Sequence, residues 1–258
     1  MFMESESIKF LKNIEDNTGF LPDVFIKKKI IGRGAFGTVY EAEIEKNSHK
    51  KSFAIKDYRL GSGITERMPE EQIKRFVLRA FSAYEEAKKV GLKVFPTVRI
   101  SQDHYQLLMS LKENDKYSLL SKGNADDLFS DRDNKRMERV ENITNIQELV
   151  ADIESNLLKA SEHKIYLPWD SYFFVVEKSN PTHLDFVIGD YDYVADKDYR
   201  EREYKQKEFF DMNINEAKSS LKNLFYSYLK KEKEEEFDIS VAGLLDKFRV
   251  ENIDKFNQ

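Results

Sequence analysis

Residues 29–58 read KIIGRGAFGTVYEAEIEKNSHKKSFAIKDY, with Gly32, Gly34 and Gly37 in a G-x-G-x-x-G spacing inside a stretch that otherwise alternates like strand. That spacing alone is a weak signal. It also occurs between a strand and a helix, where it marks a dinucleotide-binding turn. No helix follows here. Beyond Gly37 the residues from Thr38 to Ile44 alternate apolar with polar and carry β-branched Val39 and Ile44. Residues 45–52 are polar and read as a turn, and Phe53-Ala54-Ile55-Lys56 reads as a second strand. The order is therefore strand, glycine loop, strand, turn, and a strand that ends in lysine.

Working outward, residues 1–24 read as a short helix and a loop around Pro22. A loop with Gly61 and Gly63 follows the lysine strand, and then a helix from about residue 69, with proline in the first turn and Glu70 and Glu71 at the positive end of the dipole. Its apolar residues recur at helical spacing as far as Gly91. Residues 97–101 and 105–111 form an expected antiparallel strand pair. The charged stretch 112–145 reads as a short helix plus loops. Residues 146–160 make a strongly amphipathic helix, residues 173–176 and 184–188 a second strand pair around a turn at 177–183, and the chain from about 205 two or three helices. The last of these, at 241–250, follows a charge run and is expected to pack on the second half; a docking helix for a partner is the other reading.

This pattern predicts an α+β protein of two lobes: residues 1–109, an antiparallel sheet with one main helix, and residues 110–258, mainly helical. The hinge would fall near Met109-Ser110-Leu111. At 258 residues the chain can bury roughly 70–75% of its unfolded surface. It has no cysteine, so no disulfide, thiolate nucleophile or cysteine metal site is available, which suits a reducing cytosol. A net charge of −5 argues against a general nucleic-acid binder. No apolar run is long enough to span a bilayer, and the N-terminus lacks the pattern of a cleavable secretion signal.

Taken together, the glycine loop and the lysine strand resemble the protein-kinase family. Gly32-Arg33-Gly34-Ala35-Phe36-Gly37-Thr38-Val39 fits that family's G-x-G-x-x-G-x-V in full, and Phe53-Ala54-Ile55-Lys56 is similar to its V-A-I-K. The resemblance implies that Gly32, Gly34 and Gly37 let backbone N–H groups approach the phosphates of ATP without a Cβ in the way. It implies that Val39 and Ala54 enclose the adenine and that Lys56 reaches the α and β phosphates. Glu86 is the carboxylate expected to hold Lys56 extended, with Glu85 the second choice. Leu108 would guard the back of the adenine pocket, and Met109 to Leu111 would offer backbone groups to the adenine edge.

The likeness thins in the second half. HLDFVIGDYDYV, residues 183–194, is an apolar strand ending in Asp190-Tyr191-Asp192, similar to the family's D-F-G with two replacements. Asp190 is then the magnesium ligand, and Asp192 a candidate for a further metal contact. The family's H-R-D-x-x-x-x-N is replaced by HKIYLPWDSYFFVV, residues 163–176, in which Asp170 is the only carboxylate. One register makes Asp170 the group that accepts a proton from the acceptor hydroxyl. Another, aligned on Ile165-Tyr166, puts Pro168 at that position. Both lack the metal-binding asparagine, since Val175 or Phe173 takes its place.

The resemblance covers about residues 25–192 and suggests a reduced lower lobe, as in small bacterial effector kinases. What it implies is an ATP- and Mg2+-dependent phosphotransferase acting on serine or threonine of a protein substrate, with room for an activating protein partner. It would work in its maker's cytosol or in a host's, with neither nucleic acid nor membrane as partner. Two other classes remain open: a nucleotide-binding pseudokinase serving as a regulatory module, and a nucleotidyl (AMP) transferase on the same fold.

Overall fold

The glycine turn is held by its neighbours more tightly than its composition suggests. In the computed structural model, which describes residues 24–34, 36–46, 49–60, 68–95, 97–99, 106–110, 117–120, 139–191 and 205–256, it joins β1 (Val24–Gly34) to β2 (Gly37–Lys46). β2 in turn pairs antiparallel with β3 (His49–Asp57). A Cβ added at Gly37 would lie 2.9 Å from the carbonyl oxygen of Asp57 and 3.3 Å from the Cα of Tyr58. Real Cβ atoms do not tolerate that approach, so glycine is required there by packing. Gly32 has no such restriction: its nearest neighbour is the Cβ of Val39 at 3.8 Å.

The chain divides into two compact units, residues 1–85 with 95–111 and residues 86–94 with 112–258. The first is built on a five-stranded antiparallel sheet of order β1-β2-β3-β5-β4, completed by β4 (Thr97–Arg99) and β5 (Gln106–Ser110). β3 is its spine, with Phe53 to Tyr58 all buried and Phe53 and Ile55 having no exposed surface. Helix α1 (Glu70–Lys89) lies between β3 and β4 in sequence and buries Ile73, Val77, Ala80 and Tyr84, a stripe at helical spacing. Its acids at the first turn and Lys88 and Lys89 at the last complement the macrodipole. Gly91, at φ +78°, ends it: the Leu92 N–H donates to the Ala87 carbonyl at 3.0 Å, a Schellman closure.

The second unit sets a three-stranded antiparallel sheet, β6 (Tyr117–Leu120), β7 (Tyr172–Glu177) and β8 (Asn180–Ile188), with helices α2 (Ile146–Glu162), α3 (Gln206–Tyr228) and α4 (Lys231–Asn252). The buried faces of α2 and α3 supply most of its core, Ile153, Leu157, Phe209 and Ile214 among them. Phe210 stacks on Phe256 at 4.6 Å and meets Phe248 at 5.7 Å, which seats α4 and the short 3-10 helix Ile253–Phe256 that follows it. Each such buried phenylalanine contributes about 1.5–3 kcal/mol. Residues 91–94 are bound into this unit as well. The Lys93 N–H donates to Asn156 Oδ1 at 2.8 Å, and its ammonium meets Asp152 at 3.1 Å and also Asp185. No helix among the described residues is long and apolar enough to cross a membrane.

Four expectations are corrected. Polar residues 45–46 and 49–52, expected in a turn, instead extend β2 and β3, where Glu45 pairs with Lys50 and Lys46 with His49. The stretch 112–145 contributes an unexpected strand, β6, while its residues 112–116 and 121–138 lie outside the described residues. The Tyr-Ser-Leu-Leu run is too short to show a period, and pairing with β7 decides its form. The second hairpin turns at residues 178–179, not over 177–183, because polar Asn180 to His183 extend β8 along its exposed end. The last helix begins ten residues before the expected 241, at Lys231, since the charge run is itself helical, with acids in its first turn and a Lys233–Glu236 pair at 2.8 Å. Residues 1–23 lie outside the described residues.

Gly37→Ala is expected to cost about 1–3 kcal/mol, the penalty of forcing a methyl into a filled space. Gly32→Ala is expected to stay within about 0.5 kcal/mol. Chemical denaturation of the two variants checks this; equal losses would contradict the packing assigned to Gly37.

Candidate functional site

In the first unit the register aligns the predicted residues across the sheet. Gly34 pairs with Gly37, Gly32 with Val39, Val39 with Lys56, and Glu41 with Ala54. The row continues into β5, where Lys56 pairs with Leu107 and Ala54 with Met109. Leu108 pairs with Ile55, the residue between them. Directly opposed residues of antiparallel strands share a face, so Val39, Ala54 and Lys56 lie side by side on one face behind the glycine turn. Leu111 lies outside the described residues.

Lys56 is 8% exposed, and its ammonium sits 5.0 Å from the centre of the Tyr58 ring. Asp57, fully buried, accepts from the Arg59 backbone N–H and Nε–H at 3.1 Å each and from its Nη2 at 2.9 Å. This fork fixes the turn that closes β3. Glu86, half-buried near the end of α1, groups with the second unit.

In the second unit the structure brings Asp170 and Asp190 to adjoining segments. Asp170 lies in the 3-10 turn Trp169–Ser171, where Ser171 returns both its N–H and its hydroxyl to the Pro168 carbonyl, at 2.9 and 2.7 Å. The Gly189 N–H donates to the Ser171 carbonyl at 2.8 Å. The residue after Asp170 is thus bonded to the residue before Asp190. Asp190 itself has φ +52°, a left-handed conformation that aspartate adopts more readily than most residues. Two bonds fix the chain just before it, at Ile188: the Tyr191 hydroxyl donates to the Ile188 carbonyl at 2.8 Å, and the Ile188 N–H to the Lys93 carbonyl at 2.6 Å. Asp192 lies outside the described residues. Among the described residues no three carboxylates or histidines gather as a metal cluster.

Two residues that the motifs did not point to hold the Asp170 segment from behind. Asn213 of α3, fully buried, accepts from the Leu167 N–H at 2.8 Å and donates to the Ile165 carbonyl at 2.8 Å. Glu216, one turn on, accepts from the Tyr166 hydroxyl at 2.6 Å and the Trp169 N–H at 2.8 Å. A signal was present for Asn213, which stands four residues after Phe209 on the apolar stripe of α3. A buried amide on such a stripe needs partners.

Tyr172, next to Ser171, is the contrasting case. Its hydroxyl is buried and finds no hydrogen-bond partner among the described residues. Burial, and then the negative charge of Glu216, push its phenol well above the ordinary tyrosine range. No protein-family model matches this chain, and no curated protein matches it in sequence.

The two buried polar groups should respond oppositely in denaturant unfolding. Asn213→Leu, which strands the Leu167 N–H and the Ile165 carbonyl, is expected to cost at least about 2 kcal/mol. Tyr172→Phe removes an unpaired hydroxyl and is expected to be neutral or stabilising by about 1 kcal/mol. The reverse order would contradict the bonding described.

Proposed function

We propose that the protein is an ATP- and magnesium-dependent phosphotransferase with a two-lobed, protein-kinase-like fold, acting on serine or threonine hydroxyls of a protein substrate. The observation that carries this is the register of β2 on β3, which sets Lys56 opposite Val39 directly behind the glycine turn. A glycine hairpin gives backbone donors, and a neighbouring ammonium gives charge, to the same polyphosphate. The sheet order and the helix between β3 and β4 are in keeping with this plan.

The second unit offers the complementary chemistry. Asp190 is a hard oxygen donor of the kind that suits magnesium, and the bonded backbone around it and around Asp170 limits the reorganisation that binding would require. Magnesium, when bound, would neutralise phosphate oxygens. Asp170 is the carboxylate proposed to orient the acceptor hydroxyl and take its proton, Lys56 to hold the α and β phosphates, and Glu86 to support Lys56. Positioning and charge neutralisation make up most of the catalysis in such transfers, so an altered loop is compatible with activity.

One observation favours a second reading. The positions at which the family's metal-binding asparagine would fall, Phe173 and Val175, both lie within β7, and Val175 is buried. Neither can offer a ligand. A nucleotide-binding regulatory module would not need one.

Mass spectrometry after incubation with Mg-ATP separates these readings. Phosphoryl transfer adds about 80 Da to the protein or an acceptor, and nucleotidyl transfer about 329 Da. The expected result is the smaller increment, abolished in Lys56→Ala and in Asp190→Asn. Nucleotide binding without either increment, across many acceptors, would favour the module. Transfer by Lys56→Ala at the unaltered rate would overturn the assignment.

A further inference from the structure

Lys56 as a residue is only 8% exposed, and a lysine so far buried needs something in place of lost water. For Lys56 a neighbour just past the end of its own strand helps to provide it. Tyr58, the first residue of the 3-10 turn Tyr58–Leu60 and 1% exposed, presents its ring 5.0 Å from the Lys56 Nζ. That is within the roughly 6 Å over which a ring face attracts a cation. The ring is fixed in turn. Phe76 of α1 meets it edge-on, with centroids 5.8 Å apart and planes at 60°. Phe76 also stacks on Phe36, at 4.9 Å and 10°. Phe36 belongs to the glycine turn itself, one residue before Gly37.

Three rings therefore run without a break from the glycine turn to the ammonium. The Asp57–Arg59 fork closes the turn on the far side, so Tyr58 has little freedom to swing away. We propose that Tyr58 is a positioning residue for Lys56, and that the Phe36–Phe76 stack ties the glycine turn to the same point. This deepens the phosphotransferase reading and rests on it for the role of Lys56. The face of the ring does the work and its hydroxyl is dispensable, so phenylalanine should substitute and leucine should not.

The test is nuclear magnetic resonance of the full chain carrying isotope-labelled lysine, with the Lys56 signal assigned through Lys56→Arg, alongside an ATP titration. A methylene above a ring is shifted upfield whether or not nucleotide binds. The expected result is an upfield Lys56 ε-methylene in the wild-type protein and in Tyr58→Phe, with ATP affinity in that variant within about twofold of wild type. Tyr58→Leu should lose the shift and bind ATP about tenfold more weakly. A wild-type spectrum without the shift overturns the proposal, and it decides the matter even if Tyr58→Leu does not fold. Loss of the shift in Tyr58→Leu with undiminished ATP affinity overturns it too. A wild-type protein that shows the shift but binds no nucleotide supports the Tyr58 contact and overturns the phosphotransferase reading instead.

Discussion

The first unit depends on one close approach, that of the Gly37 backbone to the carbonyl of Asp57. Only a residue without a side chain can lie there, and because it does, the start of β2 is pressed against the end of β3. The approach helps hold the hairpin in register. A slip of one residue would turn every side chain of β2 to the opposite face, parting Val39 from Lys56. The third glycine of the motif therefore has a structural duty of its own, whatever it does for a ligand. Gly32 carries no comparable packing demand, so a functional reason for glycine there is easier to isolate.

The second unit solves its positioning problem with polar bonds. Residues 165–171 form no strand or α-helix, and their backbone groups must find partners one at a time. α3 supplies several of these through Asn213 and Glu216, and the Asp190 segment accounts for another through Gly189. The left-handed Asp190 costs of order 1–3 kcal/mol, and such a residue persists only where its surroundings over-determine it. Here the Tyr191 hydroxyl donates to the Ile188 carbonyl, and the Ile188 N–H donates to the Lys93 carbonyl.

Much of the architecture was legible because it rests on local periodicity. The glycine hairpin, the helix after it and the amphipathic run of α2 can each be read from a window of a dozen residues. β6 could not, since four residues show no period and their form is set by β7, distant in sequence. Nor could the true length of α4, whose first turns are charged and helical through their own pairs and the helix dipole. For the candidate site, motif spacing named Lys56, Asp170 and Asp190, but a motif names the residues that meet a ligand and not those that hold them. Asn213, Glu216, Lys93 and Tyr58 act through contacts that only the folded chain creates, Tyr58 with Lys56 excepted, where the separation is short but the ring's direction is invisible in sequence.

The central claim is that Lys56 faces the phosphates of a bound nucleotide. Its most direct measurement is peptide mapping after treatment with an adenosine analogue that carries an amine-reactive electrophile in place of the phosphates. The expected result is that, among the lysines of the chain, Lys56 is modified first and that excess ATP protects it. Modification spread over surface lysines, or labelling of Lys56 that ATP does not diminish, would contradict it.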